Sequence, residues 1–182
     1  MSLRKVLLIG VPGSGKGTQA QRLVPYGLKH ISTGELIRKA WQEGDSLVMP
    51  YWDSIQRGHF LPDNEVFALI DRELAKIKGA KGYVLDGAIR NVAQADMAMH
   101  RNLLEDVLYF DLKKEAAVKR LNARGREDDT PESIERRFAE YKAQTETALF
   151  HLARNGFGAH VIDASQSKDK VHEKILDVLR LR

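Results

Sequence analysis

Four short apolar runs, Val6 to Ile9, Tyr83 to Leu85, Val107 to Phe110 and His160 to Ile162, read as strands buried on both faces, and Leu28 to Ile31 forms a weaker fifth. Between them the apolar positions fall at spacings of three and four, the period of a helix. Strand and helix in alternation predict an α/β fold: a three-layer sandwich with a five-stranded parallel sheet, helices on both faces, and ligands at the carboxyl ends of the strands. Two helices carry end signals. Asp63 is expected to cap a helix with Val66, Ile70, Leu74 and Ile77 on its apolar face, ending before Gly79. Thr130 and Pro131 supply a cap and a first-turn proline for a long helix, whose stripe of Ile134, Phe138, Tyr141, Ala148 and Leu152 stops at Asn155 and Gly156. From Glu43 to Pro62, glycine and proline flank a bulky Met49-Pro50-Tyr51-Trp52 centre, the pattern of a small helical insertion able to move as a lid. The chain has no internal repeat and no low-complexity tract.

Composition narrows the class. With 182 residues, 43% of them hydrophobic, the chain suits one domain with a sizeable core. It has no cysteine, which rules out disulfides and cysteine-built zinc sites. No apolar run approaches the roughly 18 residues of a membrane span, and the first residues lead into a strand without a signal-peptide layout, so a soluble cytoplasmic protein is expected. The net charge of +4 raises nucleic-acid binding, but the arginines gather near candidate phosphate sites instead of alternating with aromatics, so nucleic acid is not an expected partner. The six histidines lack metal-ligand spacing and read as structural or surface residues.

Chemistry enters at Gly10-Val11-Pro12-Gly13-Ser14-Gly15-Lys16-Gly17-Thr18, which follows the first strand and opens a helix. Glycines let backbone N–H groups and the helix start converge on a phosphate, and Lys16 adds a mobile positive charge. The inferred ligand is a nucleoside triphosphate. Gly17 stands where the general phosphate-loop pattern has Ser or Thr, and Thr18 follows one place later. Asp86 ends the strand at Tyr83 to Leu85, on the same sheet edge, where a carboxylate can hold magnesium or its waters; a turn or cap aspartate is the bland alternative. Arg90 would face the same crevice. Arg120 and Arg124 share a helix face, Gly125 breaks that helix, and Arg126 and Arg137 follow. Such a set is either a phosphoryl-binding cluster or a solvated face paired with Glu127, Asp128 and Asp129. Ser32-Thr33-Gly34-Glu35 reads equally well as a capping box. Trp41, Tyr51 and Trp52 read as packing residues more readily than as a base-stacking platform.

Taken in order, G-V-P-G-S-G-K-G-T-Q-A, H-I-S-T-G-E-L-I-R, L-D-G-A-I-R-N-V-A-Q-A and R-G-R-E-D-D-T-P-E-S-I-E-R-R resemble the successive signatures of the adenylate kinases over nearly the whole chain. The resemblance implies reversible transfer of a phosphoryl group from magnesium-ATP to AMP, giving two ADP. It implies a single domain over 1–182, with a monophosphate-binding insertion at about 32–62 and a short lid at about 124–130 of the zinc-free type, and a monomer as the expected state. By position, Gly13, Ser14, Gly15, Lys16, Gly17 and Thr18 would cradle the ATP phosphates, with Asp86, and Thr18 as a second candidate, serving magnesium. Arg124 would contact ATP, Arg120 would lie against its base, and Gln166 would meet the adenine. Thr33, Arg38, His59, Phe60, Leu61, Gly87, Ala88, Ile89, Arg90 and Gln94 would form the AMP site, with Arg126 and Arg137 neutralising charge between the nucleotides and Lys16, Arg90, Arg126 and Arg137 forming the catalytic set.

Gln94 and Thr33 match the adenylate type, favouring AMP over UMP or CMP. One departure stands out: Gly87-Ala88-Ile89-Arg90 replaces the family's usual Gly-Phe-Pro-Arg, removing an aromatic wall and a proline that commonly follows a cis bond. A non-proline cis bond costs about 3 to 4 kcal/mol, so either the strained bond is kept or it relaxes to trans and re-aims Arg90. Arg90 is expected to reach the acceptor phosphate still, in a looser pocket with weaker or broader monophosphate binding. The alternatives are a kinase of this fold for another nucleoside monophosphate or small acceptor, and a nucleotide-binding module without turnover.

Overall fold

The opening apolar run becomes β1 (Arg4–Gly10), the middle strand of a sheet in a computed structural model that describes residues 3–57, 59–126 and 129–181. The chain continues through α1 (Lys16–Leu23), β2 (Leu28–Ser32), α2 (Thr33–Gln42), α3 (Trp52–Gln56), α4 (Asp63–Leu74), β3 (Gly82–Asp86), α5 (Val92–His100) and β4 (Asp106–Asp111). It ends with α6 (Lys114–Arg124), α7 (Pro131–Glu140), α8 (Glu146–Arg154), β5 (Ala159–Asp163) and α9 (Lys168–Val178). The strands lie in the order β2-β3-β1-β4-β5 and every pairing is parallel. No helix among the described residues is long and apolar enough to cross a membrane.

Alternation along the strands builds two cores. Leu7, Ile9, Leu85 and Val107 meet α4, α5 and α8 on one face, while Val6, Leu8, Val84, Leu108 and Phe110 meet α1, α6, α7 and α9 on the other. The inner strands β1, β3 and β4 are covered on both sides and so read as continuous apolar runs. The edge strand β5, expected to be buried on both faces, buries only Ile162 and leaves Val161 61% exposed, because no strand lies beyond it and helices cover it on one side only. Strand order reverses beside β1, so the carboxyl ends of β1 and β3 open onto a crevice.

Three local expectations are corrected. The helix after Pro62 ends at Leu74 and not before Gly79; Ile77 packs on the core from a turn. Asp63 makes no cap bond, since its carboxylate is taken by Asn91 and Gln94. Ser32 makes no cap bond either, so the Ser32–Glu35 capping box does not form; the chain enters α2 directly from β2 and the Thr33 hydroxyl reaches across to the carbonyl of Gly87. Thr130 does accept the Ser133 N–H, and Gly125 ends α6 in the left-handed conformation at φ 61°.

The long helix expected to Asn155 is interrupted by a π turn at Tyr141–Thr145. The interruption has a packing reason: Ile134 and Phe138 of α7 bury in one core, while Tyr141, Ala148 and Leu152 bury in the other. One rod therefore serves both faces of the sheet. Of the 43–62 segment, Met49–Tyr51 forms a 3₁₀ turn and Trp52–Gln56 forms α3.

Phe110 is fully buried at the end of β4 whereas Phe150 is 72% exposed on α8. Phe110→Ala is expected to lower unfolding free energy by about 3 to 5 kcal/mol and Phe150→Ala by less than about 1, as read from urea denaturation midpoints.

Candidate active site

Between β1 and α1 the chain turns through Val11 to Gly15, and two glycines are indispensable there. At Gly13, φ 81°, a Cβ would stand 2.6 Å from the Ala117 carbonyl oxygen, because α6 packs directly on the loop. At Gly15, φ 94°, space is open but the left-handed backbone starts α1. The first N–H groups of α1 thus face the crevice without helical partners. Lys16 Nζ bonds the Gly10 carbonyl (2.8 Å), the Val11 carbonyl (3.0 Å) and Ser14 Oγ (3.2 Å). Burial pulls its pKa down to about 8, helped by Arg90 and Arg124 and opposed by Asp86.

Asp86 closes β3 beside that loop; a Cβ on Gly17 would lie 3.3 Å from its Oδ2. His30 Nε2 stands 3.6 Å from the same oxygen, an electrostatic contact from the neighbouring strand. Burial alone would raise this carboxyl, but His30, Lys16 and Arg90 outweigh it and hold it below the usual range. It is therefore an anion next to the phosphate loop. No cluster of three or more His, Cys, Asp or Glu side chains able to hold a metal occurs among the described residues. A lone carboxylate with the Thr18 hydroxyl at hand fits magnesium, which keeps most of its waters and takes its remaining ligands from phosphates.

Across the crevice the turn after β3 is organised by one carbonyl. Gly87 O accepts from Thr33 Oγ1 (2.8 Å) and from Arg90 Nε (3.2 Å). The Phe60 ring covers Arg90, with its centroid 4.3 Å from Cζ, and Thr145 Oγ1 donates to the Arg90 carbonyl at 2.9 Å. Burial presses the Arg90 guanidinium down from its ordinary value, with Arg137 adding to this and Asp86 and Glu140 resisting. The described residues contain no cis peptide bond, so the bond before Ile89 is trans. Ile89 is 3% exposed and lines the cleft; Ala88, at 1%, is a core residue outside the lining, because its methyl group packs in the interior. Ala88 is thus not itself part of the cleft wall, which Gly87, Ile89 and Arg90 supply at this turn.

The arginines divide between two tasks. Asp129, its side chain 1% exposed, accepts from Arg124 Nε and Nη2 (2.8 and 2.7 Å) and from Arg137 Nη2 (2.9 Å). Arg137 Nε also donates to the Ser133 carbonyl at 3.2 Å. The pairing alternative is realised in part: Asp129 is enclosed by the two arginines, while Arg124 itself stays exposed. Arg120 Nη2 reaches the Ala164 carbonyl (3.0 Å), and Gln166 Nε2 bonds Asp163 Oδ2 (2.8 Å) on the loop after β5. Glu127 and Asp128, part of the expected lid, lie outside the described residues.

All of these surround one cleft of about 1410 Å³, beyond the roughly 300 to 1,000 Å³ common for a single small ligand. Residues 13–18, Thr33, Arg38, His59 to Leu61, Asp86, Gly87, Ile89, Arg90, Gln94, Arg120, Arg124, Arg126, Arg137 and Gln166 line it. Trp41 and Trp52 stack on each other with centroids 4.2 Å apart and planes 9° from parallel, binding α2 to α3, and Tyr51 packs on the core beside them. Sequence reasoning missed His30 and Thr145. Thr145 carried a signal, a hydroxyl four residues after Tyr141 within an apolar stripe; His30 sat in a strand whose partner was not yet known.

A family model described as adenylate kinase matches residues 8–156. The chain is 37% identical over 186 residues to the adenylate kinase of Xanthomonas euvesicatoria, covering 96% of this chain and 98% of the relative. It is 35% identical over 178 residues to the adenylate kinase of a Synechococcus species, covering 94% and 96%, and 34% identical over 182 residues to that of another Synechococcus strain, covering 97% and 98%.

An anion in the loop restores the Lys16 proton, so affinity for inorganic triphosphate is expected to fall as pH rises above about 8, with up to one proton taken up on binding. The decline approaches about tenfold per pH unit at its steepest. Calorimetry in buffers of different ionisation enthalpy checks this, and Lys16→Met should abolish the proton uptake.

Proposed function

Because the chain belongs to the adenylate kinase family, we infer that its cleft transfers the terminal phosphoryl group of ATP to AMP and back, giving two ADP. The observation that carries this reading is that one cleft is lined by the phosphate loop together with Arg38, Arg90, Arg124, Arg126 and Arg137. We assign ATP phosphates to residues 13–18, its base to Arg120 and Gln166, and AMP to Thr33, Arg38, residues 59–61, Gly87, Ile89, Arg90 and Gln94. Ala88 has no direct part in this assignment. We assign the insertion at about 32–62 and the lid at about 124–130 to one domain.

The chemistry asked of the protein is modest. An AMP phosphate already carries an ionised oxygen, so no general base is required; alignment and charge compensation supply the rate. Lys16 follows the transferred group, and Arg90, Arg126 and Arg137 spread their donors over oxygens whose charge grows during transfer. Asp86 and Thr18, which line the same cleft, would hold magnesium, and the metal would supply neutralisation of phosphate charge. Water is the competing acceptor. Lid closure, for which adenylate kinases are a familiar example, excludes it and strengthens each contact inside.

With magnesium, ATP and AMP, formation of two ADP is expected, with slow ATP hydrolysis when AMP is left out. A chain that binds a two-nucleotide bisubstrate analogue tightly yet makes no ADP would instead be a module without turnover. Lys16→Ala should lower kcat by about 10² to 10³-fold with little change in KM for AMP. Arg38→Ala should raise KM for AMP roughly tenfold and leave kcat nearly unchanged. Steady-state kinetics with both substrates varied reads both, and the reverse pattern would contradict the assignment.

A further inference from the structure

Asp63, freed from capping α4, faces two amides. Its Oδ1 accepts from Gln94 Nε2 at 2.8 Å and from Asn91 Nδ2 at 3.0 Å, and its Oδ2 is 3.3 Å from the same Asn91 nitrogen. Gln94 is gripped at its other end as well: Oε1 accepts the backbone N–H of Arg90 at 2.7 Å. Asn91 caps α5 by accepting the Gln94 N–H at 2.7 Å, which fixes the backbone beneath the side chain. Gln94 is 1% exposed and lines the cleft, whereas Asp63 lies behind it and does not.

A primary amide has two nearly isosteric orientations, and its neighbours decide between them. A carboxylate only accepts and a backbone N–H only donates. The Gln94 nitrogen must therefore face Asp63 and its oxygen must face Arg90. Reversing the amide would set N–H against N–H and oxygen against carboxylate, leaving buried polar atoms without partners. In the held orientation each end keeps one unused capacity, a lone pair on Oε1 and one N–H on Nε2.

We propose that Asp63 is a specificity-determining positioning residue: by locking the Gln94 amide in one orientation, it makes the acceptor pocket select a base that offers an exocyclic amine beside a ring-nitrogen acceptor, as adenine does. A base offering a carbonyl beside a ring N–H, as hypoxanthine does, meets donor with donor and acceptor with acceptor. This rests on the reading above in which Gln94 faces the acceptor base. Asp63 acts only through Gln94, so its removal changes which base is chosen more than how fast phosphate moves.

The test compares kcat and KM for AMP and IMP, with magnesium-ATP as donor, in the wild type, Asp63→Ala and Asp63→Glu, with thermal denaturation confirming folding. Wild type should prefer AMP in kcat/KM, and Asp63→Ala should reduce that preference about tenfold, chiefly through opposite changes in the two KM values and with kcat for AMP nearly constant. Asp63→Glu, which keeps a carboxylate, should retain most of the preference. If Asp63→Ala does not fold, Asp63→Asn serves in its place; it is isosteric and can face the amide with either end, and should lose about threefold. An unchanged preference overturns the proposal, and so does an equal loss with both acceptors, the mark of a merely structural residue. If the wild type phosphorylates neither acceptor the kinase reading itself fails, and if it phosphorylates IMP but not AMP the assignment of adenine to this pocket fails and the proposal with it; both show in the wild type before any variant is made.

Discussion

Mutual repulsion among cations held in one low-dielectric cleft is the constraint on which the rest of the structure depends. Burial lowers the pKa of both Lys16 and Arg90, and neighbouring cations add to it, Arg137 acting on Arg90 and Arg90 and Arg124 on Lys16. Asp86 balances part of this charge from within the cleft, and Asp129 braces Arg124 and Arg137 from behind. On the reading proposed above, the phosphates of the nucleotides would offset more of this charge on binding. That is electrostatic preorganisation: the donors stand in place before the charge develops, and no reorganisation is required as the phosphoryl group moves.

Such an arrangement holds only if the framework leaves the cations nowhere else to go. Four of them are tied by neutral contacts. Lys16 is tethered by loop carbonyls, Arg90 by the Gly87 carbonyl and the Phe60 ring, Arg120 by Ala164, and Arg137 by Ser133. The π turn belongs to the same framework. By shifting the helix from one core to the other it delivers Thr145 to the Arg90 carbonyl, so a feature of packing also fixes a candidate catalytic side chain.

What was legible in the sequence is what local chemistry decides alone. The inner strands announced themselves because a parallel strand covered on both sides has no polar face, and the phosphate loop because left-handed turns need glycine. Thr130 and Gly125 acted as read, since nothing distant competes for them. Asp63 and Ser32 failed for the opposite reason. Their cap signals are genuine, but Asn91 and Gln94 outbid the helix start for Asp63, and Ser32 runs on from β2 into α2 without turning its side chain back. The Ala88-Ile89 pair divides in a way that adjacency could not show: Ile89 lines the cleft while Ala88 packs in the core. The π turn left no trace because it preserves the apolar stripe while changing which core the stripe serves.

Charge and neutrality divide the work of such a site. Guanidinium and ammonium groups recognise any phosphate, and their attraction spreads over several oxygens, so they discriminate poorly between one monophosphate and another. A buried neutral amide behaves differently, because a mismatched partner leaves desolvated polar atoms that water cannot reach. Selectivity from one amide therefore requires that it cannot rotate to suit the wrong guest. In this fold that rigidity comes from the Asp63 carboxylate and the Arg90 N–H gripping opposite ends of Gln94, so the turn that aims a phosphate-binding arginine also fixes the group assigned to the base. Phosphate grip and base choice are thereby coupled through a single peptide N–H.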